Sequence, residues 1–413
     1  MKFIKKLRNS INKRIFKLRK MFEPKINSNK SFKRKKSHPK NVKKVLAHVY
    51  GTSNLLNAVG AVKTLYGDNV KLDIITSPLS FGNYEAIFSI SKNIEIISSV
   101  KVFSFDEIAK IEKVSEDFNK AKLLITEKLN ENYDVIVYSH TCLHFFINII
   151  KNIFPHAQTI SYGDTWGGYA NSDIYRKELN IDIMPPIEYR DKKEDIFCNL
   201  FAYDWYGINP DCNLRVVDTE TMKSTFKEID SDRKISSYCN KLLNMHPDKK
   251  KYLYMTENLY EAGFLSFENE VKMHIEIIEK YIQKGNVVVI KSHPHETYSR
   301  IDMLKKHFKN DYIFIGFQKR YNFYPIEIFG DLIKNAELNI CCGCPLFTFK
   351  YLYGIKVVNP LAGSEGLVDR FFVDEYFKIT EETNNKLEKL AGTLDTWDKK
   401  SMINLHDTKR KKA

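Results

Sequence analysis

One short segment joins a lysine, two histidines and a proline directly after an apolar run. KSHPHE, residues 291–296, follows VVVI, and ligands of open α/β sheets bind beyond the carboxyl ends of the strands. His293 at such a position can donate a hydrogen bond or a proton to a phosphate, while Pro294 fixes the turn that holds it. Flanked by Lys291 and His295, this turn predicts a phosphate-binding loop. A purely structural His-Pro turn is the alternative.

A single carboxylate lies among glycines in SYGDTWGGY, residues 161–169. Asp164 follows the predicted strand QTISYG, and a carboxylate that faces a cleft there can remove a proton from a hydroxyl group. Gly163, Gly167 and Gly168 would let a sugar approach the backbone closely. The same pattern is typical of a turn aspartate that caps the next element, so both interpretations stay open.

Two further segments place polar groups at predicted helix starts. In CCGCPLFTFKYL, Gly343, Cys344 and Pro345 stand at a strand-to-helix turn, where free N–H groups suit an anion and proline is tolerated. An ordinary turn is the alternative. In YPIEIF, Glu327 precedes another helix. It could accept hydrogen bonds from ribose hydroxyls or be a solvated first-turn glutamate.

Strand and helix patterns alternate along the chain from residue 45. VLAHVY predicts a buried strand that breaks at GTSN before a helix, and the same rhythm starts again with KYLYM, before Thr256 and Glu257. Short apolar runs that alternate with helical patterns predict parallel sheets covered by helices. The fold class is therefore α/β: two Rossmann-like domains whose parallel sheets face a central cleft, the GT-B type.

Individual elements and boundaries follow from the same patterns. IEIISSV and VFSF predict two short strands, a long helix is expected over roughly 267–284, and IKVVNP predicts a last strand. The predicted divisions are a basic tail and tether (1–44), an N-terminal domain (45–200), a crossover (201–249), a C-terminal domain (250–380), and a final helix with a basic tail (381–413).

Positive charge is concentrated at the N-terminus. Residues 1–44 carry 18 Lys and Arg against one acid, Glu23, so the net charge of +14 leaves −3 for the remaining chain. Apolar residues recur at three- and four-residue steps through the first 22 positions, which predicts an amphipathic helix suited to an anionic lipid surface. The following SNKSFKRKKSHPKNVKK is typical of a charged tether. A disordered solubilising tail is the alternative.

The composition of the whole chain excludes several classes of protein. Hydrophobic residues make up 43% and charged residues 28%, the balance of a folded soluble protein. Lysines interrupt the apolar residues of the N-terminus, whereas a secretory signal needs a continuous apolar core. No apolar run in the sequence is long enough to cross a bilayer.

The cysteines point to a compartment and argue against a metal site. Seven cysteines without a regular framework favour a reducing cytosol. CCGC, residues 341–344, has no second Cys/His pair at zinc-site spacing, so no metal is expected.

The segments in this order resemble the bacterial sialyltransferases and polysialyltransferases of the GT-B type, above all the polysialyltransferase-like capsule enzymes. Those families carry an acidic motif with glycine late in the first domain, a His-Pro motif in the second, and then a small hydroxyl pair on a strand-to-helix turn. The counterparts here are Asp164 with its glycines, KSHPHE, and Cys344-Pro345. GTSNLLNA, residues 51–58, is similar to their first loop and helix, and PIEIF to the stretch before the last motif. The resemblance spans roughly residues 45–375.

The resemblance implies an inverting transfer of sialic acid, or a related nonulosonate, from its CMP donor to a capsule or lipooligosaccharide glycan, either as single sugars or as a polymer. Asp164 would act as general base on the acceptor, and His293 would stabilise or protonate the leaving phosphate. No metal or other cofactor is required, because the reaction needs charge stabilisation more than a strong nucleophile. Substrate contacts are expected from Gly51, Thr52, Ser53, Asn54, Gly163, Gly167 and Gly168. Nucleotide contacts are expected from Thr256, Glu257, Lys291, Pro294, Glu327, Gly343, Cys344 and Pro345.

Two departures from the family pattern keep other donors open. The first motif is Gly-Asp-Thr-Trp-Gly, with one acid and its adjacent glycine missing, and Cys344-Pro345 replaces the hydroxyl pair. A different nonulosonate, CMP-Kdo or reduced activity is therefore the alternative that these departures leave open. A GT-B transferase of another kind, which uses a UDP-sugar or a CDP-polyol phosphate for capsule or teichoic-type polymers, is a further alternative. A nucleic-acid-binding protein is the remote alternative, and it is disfavoured because the charge is confined to residues 1–44. The expected location is the cytoplasmic face of the inner membrane, with the tail on anionic lipid.

Overall fold

A computed structural model describes most of the chain between residues 32 and 361, and its strands form two separate sheets with helices packed around them. The described residues are 32–33, 42–76, 83–114, 117–129, 132–139, 144–162, 196–199, 213–261, 265–294, 296, 298–341 and 345–361.

The first sheet has eight strands in the order β1-β4-β3-β2-β5-β6-β7-β8. Neighbouring strands within this sheet are parallel, apart from the antiparallel pair of β1 and β4 at one edge. The order grows outward from β2 in both directions, so the carboxyl end of β2 lies at a switch point, where ligands of such sheets bind. The strands are β1 (Phe32–Lys33), β2 (Lys43–Val49), β3 (Val70–Thr76), β4 (Ile97–Val102), β5 (Val135–Ser139), β6 (Gln158–Tyr162), β7 (Ile196–Asn199) and β8 (Asn213–Val216).

The second sheet is parallel, with the order β11-β10-β9-β12. Its strands are β9 (Lys251–Met255), β10 (Val287–Lys291), β11 (Ile313–Gly316) and β12 (Leu338–Ile340). Two Rossmann-like halves of this kind give the α/β architecture of the GT-B type that the strand and helix rhythm predicts.

Several helices begin at a residue whose side chain caps the first turn. Ser104 and Glu107 form a reciprocal capping box, and the side chains of Asp218, Ser266 and Ser299 each accept from a backbone N–H of the first turn, which stabilises a helix start by about 1 kcal/mol. The helices of the first half and crossover are α1 (Thr52–Tyr66), α2 (Asn83–Ser91), α3 (Phe105–Lys113), α4 (Phe118–Thr126), α5 (His144–Ile153), α6 (Thr219–Ile229) and α7 (Lys234–Asn244). Those of the second half are α8 (Phe267–Tyr281), α9 (Arg300–Phe308), α10 (Lys319–Asn322), α11 (Gly330–Asn335) and α12 (Pro345–Tyr353), with a 3₁₀ turn at Ile326–Ile328.

Buried residues alternate between the two faces of each sheet. In β2, Val45, Ala47 and Val49 pack into one core and Leu46 into another. Successive side chains of a strand point to opposite faces, so a strand covered on both faces must be apolar throughout. The run VLAHV satisfies this requirement, with His48 as its one polar residue.

One of these cores continues from the first half into the second. Val287 and Val289 of β10 belong to the same cluster as Val45, while Val288 and Ile290 face a separate cluster on the other side of the second sheet. The helices that follow the first sheet supply much of the shared cluster. The two halves are therefore packed against each other through apolar contacts.

Three elements differ from the sequence-based expectations. A single strand, β4, replaces the two short strands predicted from IEIISSV and VFSF. Helix α8 ends at Tyr281 instead of near residue 284, because Ile282 turns to extended backbone and buries its side chain. The last predicted strand contributes only an isolated bridge between Ile340 and Val358.

Two segments carry structure that the sequence patterns did not predict. Phe32–Lys33, inside the predicted tether, pairs with the edge strand β4, and β8 joins the first sheet from within the segment assigned to the crossover. The predicted amphipathic helix of the tail lies outside the described residues. Among the helices of the described ranges, none is long and apolar enough to span a membrane.

Candidate active site

The loops after β9 and β10 meet at the carboxyl edge of the second sheet. Met255 and Lys291, the last residues of these strands, are paired in register, and the backbone N–H of Thr256 donates to the carbonyl oxygen of Lys291 at 3.2 Å. Parallel pairing therefore brings Thr256 and Glu257 beside the KSHPHE loop, as predicted from strand ends.

His293 lies on a tight turn that its neighbours hold in place. The backbone N–H of Glu296 donates to the carbonyl oxygen of His293 at 3.1 Å, and the backbone N–H of His293 donates to Glu296 Oε1 at 2.9 Å. The hydroxyl of Thr256 also donates to Glu296 Oε1. Pro294 is within this turn and restricts its backbone. His293 itself is half-buried, so its side chain remains accessible at the edge of the sheet.

Lys291 is buried at the base of the same loop. Its Nζ donates to the carbonyl oxygen of Asn322 at 2.8 Å, and burial lowers its pKa to about 8 despite the nearby carboxylates of Glu257, Glu296 and Glu327. A buried ammonium is disfavoured relative to the neutral amine. Lys291 is therefore still charged at neutral pH and can attract an anion, but it loses that charge in mildly alkaline solution.

Glu257 is the second group at this edge whose pKa is shifted. Desolvation raises its pKa to about 7, and the thiol of Cys341, at the end of β12, donates to Glu257 Oε1 at 3.5 Å. About half of the Glu257 side chains are then neutral at pH 7 and can donate a hydrogen bond. Cys341 reaches this position because β12 lies beside β9.

Glu327 is held by the helix that follows the cysteine-rich turn. Thr348 Oγ1 donates to Glu327 Oε1 at 2.6 Å, and Pro345 is the first residue of α12, as proline in a first turn allows. This bond fixes one carboxylate oxygen of Glu327. Thr348 was not among the predicted site residues. The signal that could have found it is a hydroxyl one turn after Pro345.

The first half contributes the loop after β2. Gly51 is the extended N-cap of α1, and Ser53 is exposed while Asn54 is buried. Thr52 Oγ1 donates to the carbonyl oxygen of Phe323 at 2.7 Å. The carboxyl edges of the two sheets thus meet where Thr52 contacts the segment between α10 and the 3₁₀ turn, and Thr52 carries a contact between the halves.

Two further polar groups lie at the carboxyl edge of the first sheet. The hydroxyls of Tyr50 and Ser139 are 3.2 Å apart, at the ends of β2 and β5.

Within the described ranges, no group of three His, Cys, Asp or Glu side chains has an arrangement that could hold a metal ion. Some predicted site residues lie outside the described residues: Asp164, Gly163, Gly167, Gly168, Gly343 and Cys344.

The chain matches the model of one protein family over most of its length. The family model for alpha-2,8-polysialyltransferase (POLYST) matches residues 30–361, which include both sheets and the whole edge around His293. The chain belongs to the alpha-2,8-polysialyltransferase family. The resemblance drawn from the short motifs is confirmed, and the protein is a glycosyltransferase with a sialyltransferase role.

Solved structures similar to this family member are distant. MurG from Acinetobacter baumannii is 10% identical, with a TM-score of 0.42 over 89% of this chain and 90% of that chain. The UDP-GlcNAc 2-epimerase from Methanocaldococcus jannaschii is 12% identical, with a TM-score of 0.44 over 76% and 81%. The E. coli heptosyltransferase WaaC with ADP is 9% identical, with a TM-score of 0.35 over 75% and 84%. A comparison with curated protein sequences finds no match. Values this low give no information about the donor or acceptor of this polysialyltransferase-family chain.

Proposed function

We propose that this member of the polysialyltransferase family transfers sialic acid, or a closely related nonulosonic acid, from its CMP donor to a glycan acceptor with inversion. The observation that carries the proposal is the group formed by His293 and Lys291 at the carboxyl edge of the second sheet. A half-buried imidazole and a buried ammonium, beside partly neutral Glu257, suit a phosphate that gains charge as it leaves. Family membership supports a sialyl group as the part transferred.

Each residue has a role in this proposal. Asp164 takes the proton of the acceptor hydroxyl, and His293 stabilises or protonates the leaving phosphate. Lys291 adds positive charge below the phosphate, while Glu327, fixed by Thr348, accepts hydrogen bonds from the ribose. Gly343 and Cys344 would offer backbone N–H groups to the phosphate just before α12, whereas Pro345 has no N–H to donate.

The sialyl carbon favours a dissociative reaction. It is a tertiary anomeric centre that carries a carboxylate, so the bond to phosphate breaks early and the transition state is oxocarbenium-like. Stabilising charge on the leaving CMP then matters more than a powerful nucleophile. This mechanism requires no metal ion, and CMP-sugar is the donor substrate, not a cofactor.

The decisive experiment is incubation of the full chain with CMP-sialic acid and a panel of glycan acceptors, with product mass and CMP release measured together. The expected result is acceptor-dependent CMP release and a product heavier by one or more sialyl residues. Release of CMP with CMP-Kdo alone, or transfer from a UDP-sugar or CDP-polyol phosphate, would contradict the donor assignment. CMP-Kdo is the second candidate, because the hydroxyl pair of the family is replaced by Cys344-Pro345. Thermal shift with each nucleotide ranks the donors independently, since a bound ligand stabilises the fold.

The affinity for CMP is expected to fall as the pH rises from 7 to 9. Its phosphate is already a dianion over this range, since the second pKa of such phosphates is about 6. Glu257 gains negative charge around its pKa of about 7, and Lys291 loses positive charge around its pKa of about 8. Both changes oppose anion binding, so we expect a loss of roughly tenfold or more by titration calorimetry.

Two variants separate the two contributions to this pH dependence. Glu257→Gln should bind CMP with a shallower decline between pH 7 and 8, while Lys291→Met should bind weakly at all pH values and lose most of the decline above pH 8. An affinity that stays constant or rises between pH 7 and 9 in the folded protein would contradict the role of this pair.

The basic tail is proposed to hold the enzyme on the cytoplasmic face of the inner membrane. Residues 1–31 contain eleven Lys and Arg, and each basic residue near an anionic surface contributes about 1 kcal/mol. Truncation after residue 31 spares the strand pair of Phe32–Lys33 with β4. The truncated protein should leave phosphatidylglycerol vesicles in a sedimentation assay while it still hydrolyses donor, and the full chain should be released by 0.5 M salt. Truncated protein that sediments with vesicles at high salt would contradict this proposal.

A further inference from the structure

The side chain of Glu296 holds the turn that carries His293. Its Oε1 accepts from the backbone N–H of His293 at 2.9 Å and also from the hydroxyl of Thr256. The backbone N–H of Glu296 returns a bond to the carbonyl oxygen of His293 at 3.1 Å. These reciprocal bonds close a four-residue turn around Pro294. They also tie that turn to the neighbouring loop after β9.

The other oxygen of Glu296 faces a buried guanidinium. Arg300 NH1 lies 3.5 Å from Glu296 Oε2, and the Arg300 side chain is only 1% exposed. Arg300 NH2 also lies 2.7 Å from Glu261 Oε2 and 2.6 Å from Glu270 Oε2. One guanidinium is therefore surrounded by three carboxylates that are almost completely buried.

Hydrogen bonds from two tyrosines complete this cluster. Tyr298 donates its hydroxyl proton to Glu270 Oε2 at 2.5 Å, and the backbone N–H of Tyr260 donates to Glu270 Oε1 at 2.9 Å. The guanidinium of Arg300 also lies over the ring of Tyr298, 4.2 Å from its centre. Buried charges contribute little net stability but tolerate few arrangements. The cluster is thus suited to fixing the position of the loop between β10 and α9.

We propose that Glu296 is a positioning residue for His293, and that Arg300 fixes Glu296 in the orientation that this requires. The inference rests on the proposed function, in which His293 meets the phosphate of the donor. Glu296 accepts from the backbone N–H of His293, so it acts on the reaction through the placement of the imidazole. A displacement of about 1 Å in a group that stabilises a transition state lowers the rate on the order of 100-fold.

The first test compares three variants of the full chain. Glu296→Ala removes the shorter of two hydrogen bonds that the His293 N–H donates, the other being to Thr256 Oγ1 at 3.3 Å. The turn loses this tie and the Thr256 hydroxyl loses its acceptor, so kcat should fall on the order of 100-fold with a KM for the donor that changes only a few-fold. Glu296→Gln keeps an amide oxygen in the same place and should recover to within about tenfold of the wild type. Tyr312→Phe removes a buried hydrogen bond to the carbonyl oxygen of Ile282 at the amino end of β11, the opposite edge of the second sheet from His293, so it should lose thermal stability but keep kcat within a few-fold.

A second readout does not depend on activity. With ¹³C-labelled histidine in the ligand-free protein, the His293 ring signal, assigned from the spectrum of His293→Gln, should shift in Glu296→Ala and stay unchanged in Tyr312→Phe. This measurement tests the position of the His293 ring whether or not CMP-sialic acid is the donor. A wild-type protein that does not transfer sialic acid from CMP-sialic acid would contradict the proposed function alone. Equal loss of kcat in Tyr312→Phe and Glu296→Ala, or an unshifted His293 signal in Glu296→Ala, would overturn the inference.

Discussion

Replacing Asp164 with asparagine is expected to lower sialyl transfer by about 100- to 10,000-fold, the amount that a positioned general base contributes. The amide keeps the shape and much of the hydrogen bonding of the carboxylate but cannot accept a proton from the acceptor hydroxyl. Asp164 follows Tyr162, the last residue of β6, by two positions. The carboxyl end of that parallel strand is on the side of the first sheet where ligands bind.

The affinity of Asp164→Asn for CMP should stay close to that of the wild type, because the nucleotide is proposed to bind the second half through His293 and Lys291. The measurements are initial rates of transfer, and CMP affinity by calorimetry on the same preparation. Asp248→Asn is a matched control, since Asp248 is 73% exposed and its ion pair within the described residues is with the exposed Lys249. If Asp164→Asn loses CMP binding or unfolds, Asp164 is structural, and the base must be sought among His140, His144 and Glu257.

Replacing His293 with alanine is expected to cost on the order of 100-fold or more in kcat, the loss typical of a hydrogen-bond donor that acts in the transition state. The residue is half-buried on a loop, so its side chain contributes little to the core. The melting temperature should change little, because the contacts that hold the turn come from the backbone of His293 and the side chains of Glu296 and Thr256.

The control for His293→Ala is His307→Ala, at an exposed position in the last turn of α9. It should leave both kcat and melting temperature unchanged. A His293→Ala enzyme that transfers sialic acid at the rate of the wild type would make KSHPHE a structural turn, and the charge of the leaving phosphate would then have to be met by Lys291 alone.

The positions of the candidate site along the chain could be predicted from local patterns. VVVI before KSHPHE and KYLYM before Thr256 and Glu257 are continuous apolar runs, and such runs become strands that are covered on both faces. In a parallel sheet all carboxyl ends lie at one edge, so residues after any two such strands lie at that same edge. This local rule needs no knowledge of which strands are neighbours, and it explains why Lys291, His293 and Glu257 can be assigned to strand ends from the sequence.

The sequence by itself therefore determined the α/β class, the two halves and the ends of β9 and β10, because periodicity and chain direction are local properties. Only the tertiary structure decided which side chains those ends meet. Arg300 pairs with Glu261 and Glu270, 39 and 30 positions away, and Thr52 reaches Phe323 across 271 positions. The shifted pKa values of Glu257 and Lys291 arise from desolvation by residues that are distant in sequence. Burial and charge pairing depend on the packing of the whole chain, and no pattern of neighbouring residues encodes them.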